Sequence, residues 1–189
     1  VASRIGCESD AKYAIQITNV GSGYSRLTDD FLYNAWNFEG QEVFKRAVKA
    51  MAQASKDVLE QAGMTLNDIK LVVPHQANKR ILDALAKRIG INEDKVFVNV
   101  HKYGNTSAGT IPVALCEAVE ERRIEPGDYI LMASFGAGLT YGAGLIKWSD
   151  RVVPLKSSDA ELPPCEKTGL EIIASHVERY RKRALKSAS

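Results

Sequence analysis

Residues 69–73, IKLVV, read as a short buried strand: Pro74 stops it, and a helical pattern begins at once. This order, a strand, a polar junction and then a helix, recurs along the chain and points to an α/β fold. Residues 12–20, KYAIQITNV, put Tyr13, Ile15 and Ile17 on one face and predict a half-buried strand. Residues 21–40 predict a long loop rich in Gly, Ser, Asp and Asn that carries Phe31, Tyr33, Trp36 and Phe38. From 42 to 62 the apolar positions Val43, Phe44, Ala47, Val48, Met51, Val58, Leu59 and Ala62 recur at helical spacing, and Gly63 stops the run. A second helix is predicted over 77–89 before Gly90, a strand over 95–100, and a helix over 107–121 in which Pro112 is near enough the start to be tolerated. Residues 128–134 and 142–148 predict two strands joined by a glycine-rich loop.

After Trp148 the character changes. Residues 151–169 contain three of the six prolines and little periodicity, so they read as a linker or a surface strap. Residues 170–185 follow as an amphipathic helix, with Leu170, Ile173, Val177 and Tyr180 on one side and Arg179, Lys182, Arg183 and Lys186 among its charges. A solvated helix docked on the body is favoured there over a membrane-surface or partner-binding segment. The division expected is therefore 1–148 and 149–189.

Composition narrows the function classes. At 189 residues, 45% hydrophobic and 25% charged, the chain is long enough for one good core. Its 25 basic and 23 acidic residues are interspersed and leave a net charge of +2, which gives no reason to expect a nucleic acid partner. No apolar stretch reaches the roughly 18 residues of a membrane span, and nothing at the start resembles a signal peptide. Cys7, Cys116 and Cys165 are an odd set without CxxC or Cys/His spacing, which argues for reduced thiols in a cytoplasmic setting and against a metal site. The chain starts at Val1 rather than Met, which suggests processing or a piece of something longer.

The polar junctions carry the chemistry. His75 and Asn78 lie at the first, and Asn105 follows His75 by thirty residues in HKYGNTSAG. The turn SFGAGLTYG at 134–142 comes at the third. Carboxyl ends of strands are where sites collect in α/β sheets. Each junction also has a plainer reading: His75 as a satisfied structural histidine, Asn105 as a turn residue or helix cap, and residues 135–144 as only a hairpin. The last stretch is neither a GxGxxG fingerprint nor a P-loop. The chemical reading is that an imidazole and a carboxamide donate to an enolate without handing over a full proton, while backbone N–H groups of the turn face a second oxyanion.

VVPHQANKRILDALAKRIGI, VNVHKYGNTSAGTIPVALCEAV and ILMASFGAGLTYGAGLIKW, with EGQEVFKRAV at 39–48, closely resemble the carboxyl-terminal half of β-ketoacyl-acyl carrier protein synthase III, of the thiolase superfamily. The likeness runs from about residue 10 to Trp148. It implies a thiolase-like half, a mixed α/β sheet flanked by helices. It also implies the decarboxylating Claisen condensation of an acyl-CoA with malonyl-acyl carrier protein that initiates fatty acid biosynthesis. His75 and Asn105 match the His and Asn of a Cys-His-Asn site.

By the same resemblance Phe38, Gly40, Val43, Phe44, Ala77 and Asn78 match positions lining a pantetheine tunnel, with core packing and capping as their plainer reading. Arg80 matches a basic position facing the phosphate-bearing end of CoA or carrier protein, although a merely solvated helix face suits it equally. Phe135, Gly136 and Ala137 match the floor and oxyanion turn of the site. No cofactor or metal is expected beyond these substrates, and the complete enzyme is expected to be a dimer. The family's nucleophile belongs to an Ala-Cys-Ser/Ala-Gly type turn that is missing here, and none of the three cysteines has that context. The partner expected is therefore the amino-terminal half of the synthase. A non-catalytic or regulatory half, or a thiolase-superfamily acyltransferase with another substrate, uses the same residues.

Overall fold

In a computed structural model, residues 1–17 and 36–150 are described, together with 164, 166–174 and 177–178. The chain divides into two compact units, Val1–Gln16 with Asn37–Val153, and Ile17–Trp36 with Pro154–Ser189. The first holds the main sheet and its helices. In chain order it contains strand β1 (Ala2–Cys7), a 3-10 turn at Ser9–Ala11, and helix α1 (Gly40–Ala62). Strands β2 (Ile15–Ile17) and β3 (Trp36–Phe38) pair with each other. Then come β4 (Ile69–Pro74), α2 (Lys79–Ile89), the short α3 (Val100–Tyr103), α4 (Thr110–Glu120), β5 (Tyr129–Gly136) and β6 (Thr140–Lys147).

The main sheet runs β1-β6-β5-β4, with β6 antiparallel to both neighbours and β4 parallel to β5. This is a mixed sheet, and helices cover both its faces. On one face Val72, Leu131, Ala133 and Leu145 meet Met51 and Val58 of α1 and Ile81 and Leu85 of α2. On the other, Leu71, Val73 and Ile130 meet Ala114 and Ala118 of α4. Successive residues of β4 therefore feed two cores, which explains why IKLVV lacks the alternation of a half-exposed strand. Gly63 and Gly90 end α1 and α2 in left-handed conformation, φ 64° and 82°, as their positions after the apolar runs predict.

Several expectations are corrected. Residues 12–13 form a turn rather than the start of a strand, and Tyr13 is exposed while Ala14 and Ile15 are buried. Residues 95–100 do not form a regular strand: Glu93–Lys95 is a 3-10 turn, Val96 makes a single parallel bridge to Val72, and Val100 already opens α3. The alternation there is real, because Val96 and Phe97 are buried, but only one rung forms. The helix expected over 107–121 is split into a 3-10 turn at Ser107–Gly109 and α4, and that expected from 77 begins at Lys79. β1 escapes sequence reading because its pattern is polar and only partly buried, as suits the edge of a sheet. Most of the expected loop at 21–40 lies outside the described residues, as do Cys165 and most of the terminal helix. What is described of that helix starts at residue 169, where Thr168 and Glu171 cap each other: the Thr168 N–H donates to Glu171 (2.7 Å) and the Glu171 N–H to the Thr168 hydroxyl (3.3 Å).

Candidate active site

β4 and β5 are parallel, so Pro74 and Gly136 end at the same edge of the sheet, and the segment after Val96 reaches that edge beside β4. His75 is the first residue beyond β4. Its N–H still donates to the Ala133 carbonyl (2.8 Å), which prolongs the ladder and fixes the backbone from which the ring projects. His75 is 9% exposed. Its Nδ1 lies 2.6 Å from Oγ1 of Thr110, the first residue of α4, and its edge meets Phe135 at 5.4 Å between centroids and 72° between planes. Burial holds the imidazole below its ordinary value of 6.5, because a charged ring would forfeit hydration that the pocket does not replace. The site therefore presents a neutral imidazole at neutral pH.

Gln76 is the residue that sequence reading missed. Its side chain is 1% exposed. The NH2 donates to the carbonyls of Pro74 (2.9 Å) and Phe97 (3.0 Å), and the oxygen accepts from the N–H groups of Asn99 (2.9 Å) and Val100 (3.2 Å). One carboxamide thus ties the end of β4 to the chain entering α3. Asn99, also buried, donates through Nδ2 to Glu117 of α4 (2.8 Å), whose other oxygen pairs with Lys102. Lys102 first and Asn99 next hold the Glu117 carboxyl below the usual carboxylate range. These bonds fasten α3 to α4 on either side of the loop that contains Asn105. No local motif announces them, because the partners are 15 to 24 residues apart in sequence.

Asn105 is exposed, and its oxygen accepts the Ser107 N–H (2.9 Å). Because a backbone N–H can only donate, this bond identifies the amide oxygen and leaves the NH2 as the donor side. The loop bends sharply, with Gly104 at φ 68° and Ser107 at φ 56°. A short side chain that bonds its own backbone two residues on suits such a turn.

The other predicted residues divide. Val43 is fully buried and shares a small cluster with Ile15 and Leu139, against which Phe135, the neighbour of the His75 ring, also packs. Phe44 and Ala77 pack on the α1–α2 core. Phe38 is 56% exposed and lies beside Gly40 at the start of α1. Asn78 caps α2, its oxygen accepting the Ile81 N–H (3.0 Å). Arg80 is exposed on α2, next to the Lys79–Asp83 ion pair. Gly136 and Ala137 begin the tight turn between β5 and β6, so the glycine-rich stretch is a hairpin. Within that turn the Leu139 N–H donates to the Glu8 carbonyl (3.2 Å), and Gly138 at φ 137° adopts a conformation that disfavours any side chain.

Of the thiols, Cys7 ends β1 and Cys116 is exposed on α4, where desolvation first and Glu120 second push its thiol up. That shift is opposite to what a nucleophile needs. Among the described residues no group of three or more His, Cys, Asp or Glu is placed to hold a metal, and no helix is long and apolar enough to cross a membrane.

Residues 59–148 match the family model described as 3-oxoacyl-[acyl-carrier-protein (ACP)] synthase III C terminal. A curated relative from Vibrio cholerae, β-ketoacyl-[acyl-carrier-protein] synthase III 2, is 45% identical over 180 residues, covering 95% of this chain and 50% of that protein. A Roseiflexus castenholzii β-ketoacyl-[acyl-carrier-protein] synthase III is 54% identical over 110 residues, 58% of this chain and 33% of its own length. The Vibrio match therefore extends into 149–189, whereas the Roseiflexus match covers a shorter part of the chain. The crystal structure of an Aquifex aeolicus 3-oxoacyl-[acyl-carrier-protein] synthase III superposes with a TM-score of 0.68 at 42% identity, covering 78% of this chain and 44% of that one. The chain spans about half the length of the curated relative that it matches most extensively among these. It has a thiolase-like α/β fold, and its residues 59–148 are similar to the carboxyl-terminal family of 3-oxoacyl-[acyl-carrier-protein] synthase III.

Proposed function

We propose that this chain supplies the His and Asn of a Cys-His-Asn site that carries out a decarboxylating Claisen condensation between an acyl-CoA and malonyl-acyl carrier protein, the initiating step of fatty acid biosynthesis. The observation that carries the reading is His75: a buried, neutral imidazole at the carboxyl edge of parallel strands, flanked by Thr110 and Phe135. A cysteine thiolate from the other half attacks the acyl-CoA carbonyl, forms the S–C bond and expels CoA thiolate. In the second half-reaction the bond to the malonyl carboxylate breaks and carbon dioxide leaves. The electron pair moves onto the thioester oxygen, where N–H donors from His75 and Asn105 stabilise the enolate. The enolate carbon then attacks the acyl-cysteine and releases the thiolate. Phe38, Gly40, Val43, Phe44, Ala77 and Asn78 line the approach of the pantetheine arm, Arg80 meets the carrier, and Phe135, Gly136 and Ala137 form the floor and turn of the site. Residues 1–148 make up the thiolase-like half in this reading, and 149–189 its extension.

The need for a partner half has support of its own. On α4 the residues Ile111, Leu115 and Val119 pack against the core around Ala114 and Ala118 yet keep partial exposure, as does Val113, and a partner half would cover that remaining apolar surface.

Asn105→Asp in the assembled enzyme tests the assignment. The carboxylate still accepts the Ser107 N–H, so the turn persists, but both donors are lost and a negative charge faces the enolate. Decarboxylation should fall by about two orders of magnitude, the scale of losing one oxyanion donor. Acylation of the cysteine should change little. Equal loss in both half-reactions with the fold intact refutes the role.

A further inference from the structure

We propose that the Thr110 hydroxyl donates its proton to Nδ1 of His75 and thereby holds the ring in the tautomer that carries its hydrogen on Nε2. The inference rests on the proposed function, because only an Nε2–H makes the ring a donor to an enolate. Nδ1 and Oγ1 are 2.6 Å apart, and both residues are buried, Thr110 at 3% exposure. A hydroxyl can donate to a bare ring nitrogen or accept from a protonated one, so distance alone leaves both arrangements open.

Two features decide between them. Thr110 is the first residue of α4, an eleven-residue helix whose aligned peptide dipoles make this end positive even though the Thr110 N–H itself is taken by the Ser107 carbonyl. A lone pair on Nδ1 directed at that end is favourable, whereas an N–H directed at it is not. In addition, the ring nitrogen is the one hydrogen-bond partner that the structure gives the Thr110 hydroxyl among the described residues. Were Nδ1 protonated, the buried hydroxyl would have its own proton to place elsewhere, at the cost of an unsatisfied donor. Thr110 is thus a positioning residue. It touches no substrate, and it acts by deciding which side of the imidazole donates.

The test uses the complete synthase labelled with 15N-histidine, as wild type, Thr110→Ser, Thr110→Val and His75→Ala, the last identifying the His75 signals. The expected spectrum of wild type and T110S shows an unprotonated Nδ1 and a protonated Nε2. In T110V, which keeps the shape and loses the hydroxyl, the two tautomers should mix. Malonyl decarboxylation should fall about tenfold in T110V, the scale of one net hydrogen bond, with cysteine acylation unchanged and T110S within threefold of wild type. A protonated Nδ1 in wild type overturns the proposal, whether or not T110V folds. An unmixed spectrum in T110V, or equal losses in T110S and T110V, overturns it as well. Should H75A decarboxylate at the wild-type rate, the proposed function fails instead, and the spectra alone decide the role of Thr110.

Discussion

At the scale of single residues, buried amides and hydroxyls fix the segments around His75 and Asn105. Gln76 shows how much one such residue does. All four of its hydrogen-bonding contacts go to backbone, two to carbonyls and two to N–H groups. Gln76→Leu keeps the approximate volume and strands the buried Asn99 N–H and the half-buried Val100 N–H. Unsatisfied buried donors cost about 1–3 kcal/mol each, so urea unfolding of the complete protein should show a loss of about 2–5 kcal/mol. A change below about 1 kcal/mol would mean that water replaces the carboxamide. The sequence exposes His75 and Asn105 because each lies in a compact polar motif at an element boundary. Thr110 and Gln76 stay hidden, because a threonine opening a helix and a glutamine beside a histidine are ordinary until their long-range partners are known.

Elements were most legible where one side of the pattern is unambiguous. α1 and α2 have apolar faces at helical spacing and glycine stops, so their C-terminal ends agree with expectation at Ala62 and Ile89. β1 and the 95–100 segment were not, since an edge strand needs little apolar surface, and a single-rung segment has the alternation of a strand without its ladder. α2 also carries a prediction. Its outer face presents Arg80 beside the Lys79–Asp83 pair, with Lys87 one turn and more along. If this face receives an anionic carrier, Arg80→Glu should raise KM for carrier protein severalfold at low salt and weaken the salt dependence, since repulsion replaces attraction. Steady-state kinetics at two ionic strengths check this. An unchanged KM at low salt would assign Arg80 to ordinary solvation.

For the whole molecule, the expected outcome is that residues 1–189 alone form no acyl-enzyme from acyl-CoA and release no condensation product, whereas addition of the cysteine-bearing half restores both. Intact mass and product release measure the two steps. A stable adduct on Cys7, Cys116 or Cys165 accompanied by turnover would falsify the split-site reading. The raised Cys116 thiol and its place in a helix already argue against that residue. By itself the sequence determined the α/β class, the helix stops and the polar junctions that hold His75 and Asn105, because periodicity, glycine positions and short polar clusters are local properties of a chain. Only the tertiary structure decided that β1 closes the far edge of the sheet, that Val72 and Val73 feed opposite cores, and that Thr110 meets His75 across thirty-five residues. Those contacts form when distant segments lose water together, and no window of sequence contains both partners.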